Sequence, residues 1–252
     1  MGLFDKKFCD VCGNKIGMLG NRKLEDGNLC KDCAGLLSPF FSERRKSTVA
    51  DIKEHLAYRE ANKAAVAAFR ATRTLGNATK VMLDEDNGKF VVTSARRLEE
   101  ANPDVLEFSQ VTGASFKVDE NRSEVMQKGP DGKSVSYSPP RYKFSYEFKM
   151  YIQVNHPWFN EISFKINDRN IEVENSFGTS GGAAVARRNS DYTQAEQVGN
   201  EIKEALTTVR QVVRENVVAA NAPKVARNCP LCGATTMPDA NGCCEYCGGA
   251  MA

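Results

Sequence analysis

Nine cysteines sit near the two ends of a 252-residue chain. Cys9, Cys12, Cys30 and Cys33 belong to CDVCG and CKDC. Cys229, Cys232, Cys243, Cys244 and Cys247 belong to CPLCGATTMPDANGCCEYCGG. Two thiols separated by two residues can reach one ion from a single tight turn. A glycine after the second lets the backbone fold beneath the metal with its amides facing the sulfurs. The MGLFDKKFCD start has no apolar signal core, so the cytoplasm is the expected compartment. Disulfides seldom persist there, and spaced C-x-x-C pairs point to metal instead. Two zinc ions per chain are expected, one on Cys9, Cys12, Cys30 and Cys33 and one on Cys229, Cys232, Cys244 and Cys247.

Tetrahedral sulfur also suits iron. A rubredoxin-like centre, however, packs aromatic residues around its metal, and the loops between these pairs hold only Tyr246. Cys243 stands three residues before Cys247 instead of two and would leave Gly248 in place. The repeated C-x-x-C-G form favours Cys244 and makes Cys243 a spare thiol. Four thiolates close a zinc site and leave no position for a catalytic water, so the expected role of both ions is structural.

No other group of residues assembles an enzyme signature. His55 reads as a solvated side chain on a charged helix, and His156, in NHPWFNE, as part of a turn at a strand end. GTSGG, residues 178–182, lacks the Lys-Ser/Thr ending of a phosphate loop. Asp84, Glu85 and Asp86 read as hairpin-turn residues. The chain is therefore expected not to be an enzyme, and no small-molecule substrate is inferred.

Charge bears on the choice of partner. The formal net charge is +2, with 34 Lys and Arg against 32 Asp and Glu. Each zinc with its four thiolates contributes −2, so two sites bring the total to about −2. Residues 228–252 contain no Lys or Arg, and nucleic acid is an unlikely partner for them. The basic runs Arg44-Arg45-Lys46 and Arg187-Arg188 read as solvated loop charges.

Four pieces must position these residues. Residues 1–40 form the first cysteine module: a knuckle, a hairpin turning at Asp26-Gly27, and a second pair at the start of a short helix, a treble-clef-like arrangement. Residues 41–77 form a helical connector. Its helix, over 48–72, has Thr48 and Asp51 as a capping box and Val49, Ile52, Leu56, Ala64 and Ala68 as its stripe. Residues 78–220 form a β core closed by a second helix, and residues 221–252 are a C-terminal zinc ribbon. In the core, Asn87-Gly88 marks a hairpin and KGPDGK a turn cluster. In residues 141–154, Tyr142, Phe144, Tyr146, Phe148, Met150, Ile152 and Val154 alternate onto one face of a long strand, and Ile162, Phe164 and Ile166 continue the pattern. Residues 175–190, rich in Gly, Ala and Ser, read as a loop. A helix follows to about Ala220, with Ala195, Val198, Ile202, Leu206, Val209, Val213 and Val217 as its stripe. The turn HPWF, 156–159, holds the only tryptophan; Trp158 either plugs the open end of the β core or stands exposed as an interface residue.

CDVCGNKIG…NRKLEDGNLCKDCAGLLSPF resembles the short four-cysteine domain of unknown function found in uncharacterised bacterial proteins. The tail is similar to generic zinc-ribbon ends. The middle resembles a bacterial pleckstrin-homology-like (PH-like) module: a hairpin, a meander, a long strand, then one amphipathic helix. The resemblance implies an α+β protein with a PH-like antiparallel β core, flanking helices and small four-cysteine zinc modules at both termini. The function expected of it is that of a non-enzymatic, zinc-binding adaptor or scaffold acting through a protein partner. Peripheral binding to a membrane surface through the PH-like core, and nucleic-acid binding by the zinc ribbon, are the alternatives.

Overall fold

The computed structural model describes residues 7–175, 186–221, 226–239 and 242–251. Most of the Gly- and Ser-rich loop expected at 175–190 lies outside them. The chain divides into two compact units, residues 1–210 and 211–252.

The first unit begins with two short antiparallel hairpins, β1 (Lys7–Phe8) with β2 (Lys15–Ile16) and β3 (Arg22–Lys23) with β4 (Asn28–Leu29), followed by helix α1 (Lys31–Gly35). A 3₁₀ turn over Glu43–Lys46 leads into α2 (Val49–Ala68). The capping box expected at the start of α2 is present: the Thr48 hydroxyl accepts from the Asp51 amide, and the Asp51 carboxylate accepts from the Thr48 amide at 2.8 Å.

Two antiparallel sheets follow. The first is a meander of β5 (Arg73–Leu75), β6 (Lys80–Asp84), β7 (Lys89–Thr93) and, after the short α3 (Leu98–Ala101), β8 (Leu106–Glu107). The expected hairpin joins β6 to β7, with Gly88 at φ +64°. Asp84 ties its turn by accepting from the Asn87 amide and side chain and from the Arg70 amide. The second sheet is built on β10 (Ser134–Val154), which pairs along one edge with β9 (Val111–Lys128) and along the other with β11 (Glu161–Lys165) and β12 (Ile171–Asn175). The strand read at 141–154 is thus the inner part of a longer one, and KGPDGK closes its hairpin with β9. Phe144, Tyr146, Phe148, Met150, Ile152 and Val154 are buried, while Tyr142 is half-buried. The first part of helix α4 (Ser190–Asn221) covers this face, with Tyr192, Ala195, Ile202, Ala205 and Leu206 buried; Val217, expected in its stripe, is exposed. Tyr192 sets its ring edge-on against Tyr146 and Phe148, each centroid 5.0 Å away. At Gly199 a Cβ would meet the Phe116 ring at 3.0 Å, so glycine permits the close approach of helix to sheet.

The buried face of α2 departs from the expected stripe. Ile52, His55, Arg59, Asn62 and Val66 are buried, whereas Ala64 and Ala68 are exposed and Val49 and Leu56 are only half-buried. His55, expected in solvent, is fully buried. Its ring stacks on Trp158 at 4.7 Å, and its Nε2 accepts from the Ser38 amide. Burial pushes its pKa down to about 4, against the pull of Asp104, so the ring is neutral. Trp158 also sets its edge against Phe41, and Phe159 packs on Phe40 and His156. In the aromatic turn Phe159 is therefore buried, and His156 and Trp158 are half-buried, against α2 and the segment before it.

Arg59 and Asp104 form an ion pair at 2.7 Å with both side chains nearly sealed from water. Asp104 also accepts from Ser38 Oγ at 2.7 Å and Tyr58 OH at 3.2 Å, while Arg59 donates to the carbonyls of Leu36 and Asn102. Removing one partner of such a pair leaves an uncompensated buried charge. Asp104→Ala is expected to destabilise the first unit by about 3–5 kcal/mol, read from the shift of its urea midpoint. A change below about 1 kcal/mol would contradict this role for the pair.

Candidate metal centres

Three of the four cysteine pairs share one backbone form. At Cys9 the amide donates to the Asn14 carbonyl at 2.9 Å, and the Cys9 carbonyl accepts from Gly13 at 2.8 Å. Cys229 repeats this with Ala234 and Gly233, and Cys244 with Gly249 and Gly248. Gly13, Gly233 and Gly248 have φ of +74°, +74° and +70°. A side chain at these positions would strain the turn by about 1–2 kcal/mol, which accounts for the glycine in each C-x-x-C-G. The fourth pair uses a helix start instead. Cys30 is the N-cap of α1, and its sulfur accepts from the Cys33 amide at 3.3 Å.

These turns bring the sulfurs together. One ligand atom from each of Cys9, Cys12, Cys30 and Cys33 lies within 4.8 Å of the others, and the same holds for Cys229, Cys232, Cys244 and Cys247. The Sγ atoms of Cys12 and Cys30 are 3.7 Å apart, those of Cys229 and Cys247 3.5 Å, and those of Cys232 and Cys244 3.7 Å. Four sulfurs about 2.3 Å from a zinc ion would be about 3.8 Å apart. Disulfide sulfurs would be about 2.05 Å apart. The spacing fits two tetrahedral zinc ions. Cys243 is outside the second group; it bridges to Ala250 in the backbone, and its amide donates to Asp239.

The thiols of each group cannot all ionise without a cation. Burial raises the pKa of Cys9, but amide donors from Cys12, Cys30 and Val11 outweigh it and bring the thiol to about 6. Amides of Cys232 and Leu231 do the same for Cys229, also to about 6. Cys33 is pushed up by burial and by its neighbouring thiols. At Cys247 the neighbouring thiols prevail over the Gly249 amide and push the value up to about 12. A divalent ion removes this conflict by stabilising all four thiolates.

The two modules differ in what else holds them. In the first, Cys9, Cys30 and Cys33 share a buried cluster with Ile16, Leu24, Leu29, Leu37 and Ile52, so the first turn of α2 is part of it. In the second, among the described residues, the cluster is Cys229, Cys244 and Met251.

Elemental analysis should give two zinc ions per chain and no stoichiometric iron. Cys244→Ser is expected to release the second zinc more readily and to lose several of the roughly 10–16 kcal/mol that a structural site supplies; Cys243→Ser should keep it. Equal zinc loss from both variants would overturn the assignment. Zinc release to a chromogenic chelator should rise as pH falls, because protons compete with the ion for the four thiolates. The second module should release first, since it has the smaller core. Release independent of pH would contradict the thiolate assignment.

No curated protein matches the chain. Residues 7–55 match the family described as "Domain of unknown function (DUF4428)". That span covers the first four-cysteine cluster, the 3₁₀ turn and the start of α2, and the N-terminal zinc module is accordingly a DUF4428 domain.

Proposed function

We propose that this zinc-binding chain is a non-enzymatic adaptor that holds a protein partner through its C-terminal module. The observation that carries the reading is on the surface of that module. Leu231, Met237 and Tyr246 are 74%, 54% and 73% exposed, on a module whose described residues hold a three-residue buried cluster and whose stretch 228–252 has no Lys or Arg. Tyrosine and methionine are enriched at protein interfaces, and a surface that presents them on a stretch without Lys or Arg suits a protein better than a phosphate backbone. Thiolates occupy every position around each ion, which favours a mounting role over Lewis-acid chemistry.

The middle of the chain supports a scaffold. Two antiparallel sheets and one long helix make up the middle of the chain, an arrangement that suits a scaffold. Fold alone assigns no ligand to such a module. Among the described residues no helix is long and apolar enough to cross a membrane. The cytoplasm is proposed as the compartment because eight cysteines are grouped for metal.

The test is affinity capture from the native host with the zinc-loaded chain, compared with a Leu231→Ser, Tyr246→Ser double variant. The partner's affinity should fall by about 2 kcal/mol or more, the scale of an interface hot spot, with both zinc ions retained. A partner held equally well by the variant would overturn this placement.

A further inference from the structure

Two features of the N-terminal module are left unused by the adaptor reading. The first is the turn Gly17-Met18-Leu19-Gly20 between β2 and β3, closed by a 3.0 Å bond from the Gly20 amide to the Gly17 carbonyl. Met18 and Leu19 are 91% and 89% exposed. The second is an open groove of about 750 Å³ lined by Arg22, Lys23, Glu25, Arg44 and Arg45 with Asn21 and Leu24.

The groove begins at the turn. Arg22 Nη1 donates to the Leu19 carbonyl at 3.2 Å, so its guanidinium lies directly behind the apolar tip. Arg44 Nη1 donates to the Lys23 carbonyl at 2.7 Å and joins the 3₁₀ turn to β3. Among the described residues, none of Arg22, Lys23, Arg44 and Arg45 lies within ion-pair distance of a carboxylate. The Arg44 pKa is lowered by burial and then by Arg45 and Arg22, as expected where guanidinium groups crowd without a counter-charge. Averaged over residues 1–47, the nine Lys and Arg nearly cancel against six Asp and Glu and the thiolates. Folding gathers four of those cations into one groove with Glu25 as its acidic residue.

We propose that this tip and groove dock the chain on an anionic phospholipid bilayer, with Met18 and Leu19 entering the interfacial layer and Arg22, Lys23, Arg44 and Arg45 taking lipid phosphates. Two apolar side chains on a protruding turn form no shaped surface for a protein pocket, but they need none to enter a bilayer. Neither signal anchors a protein alone; an apolar insertion and a cluster of cations beside it add together at an anionic surface. The surface belongs to the zinc module, so it differs from the sheet face of the PH-like core. It also lies in residues 1–210, whereas the proposed partner surface lies in residues 211–252, so the two readings fail in separate experiments.

The experiment is sedimentation of the zinc-loaded full chain with vesicles of phosphatidylcholine alone or with about a third phosphatidylserine. The wild type should partition onto the anionic vesicles at least about tenfold better than onto the neutral ones. Arg44→Gln with Arg45→Gln, and separately Met18→Ser with Leu19→Ser, should each lose about tenfold or more of that partitioning. Both double variants should keep two zinc ions and the wild-type circular dichroism. Two parallel arms use inorganic phosphate and a short RNA duplex. Absence of vesicle binding, or binding unchanged in either double variant, overturns the proposal. Binding of phosphate or RNA that depends on the arginines, while vesicles are ignored, overturns it in favour of a soluble anion site.

Discussion

The Arg59–Asp104 pair is sealed from water, and three segments of the first unit are arranged by what the pair requires. A buried carboxylate and a buried guanidinium are each costly to desolvate, and their attraction offsets that cost only when the remaining donors and acceptors are also met. Here Ser38 and Leu36, at the end of the zinc module, supply a hydroxyl and a carbonyl. Tyr58 comes from α2 itself. Asn102 supplies a carbonyl ahead of β8. Asn62 adds to the same seam by donating to the Pro103 carbonyl and accepting from the Val105 amide. A helix with three polar residues on its buried face is thus fixed in one orientation, because rotating it would leave those groups unpaired.

That seam explains how a small zinc module becomes a fixed part of a larger body. Ile52, on the first turns of α2, completes the apolar cluster around Cys9, Cys30 and Cys33. One turn further on, His55 stacks on Trp158 and meets Ser38. The metal orders the module, α2 carries that order forward, and the aromatic turn at 156–159 closes against it. Among the described residues, the second zinc module has no comparable apolar support in its own buried cluster. Its fold rests more heavily on the metal, which agrees with the rule that modules too small for a core are stapled. The large side chains it leaves exposed are then available for contact with another molecule.

Charge offers a second case in which folding changes the meaning of a composition. The N-terminal segment is close to neutral when its residues are counted with a bound zinc. Its fold nevertheless places Arg22 and Lys23, on a hairpin strand, beside Arg44 and Arg45, on a 3₁₀ turn some twenty residues later. Electrostatic attraction depends on local density, because screening removes contributions beyond about 10 Å. A segment average therefore says little about a groove.

The sequence by itself determined whatever depends on neighbours along the chain. Each C-x-x-C-G specifies a knuckle, because two residues set the reach between sulfurs and glycine supplies the positive φ. Thr48 with Asp51 specifies a helix start. Alternation in residues 141–154 specifies one buried strand face, and the three- and four-residue steps from Ala195 to Leu206 specify a helix that covers a sheet. Tertiary structure alone decided what depends on distant residues. His55, Arg59 and Asn62 look like a solvated face until Trp158 and Ser38 meet the first, Asp104 the second, and Asn102, Pro103 and Val105 the third. Trp158 had two readings from its turn, and its resting place is the ring of a histidine about a hundred residues earlier. The physical reason is the same in each case: a local pattern fixes backbone conformation, but the cost of burying a polar or charged group is set by partners that only folding brings within reach.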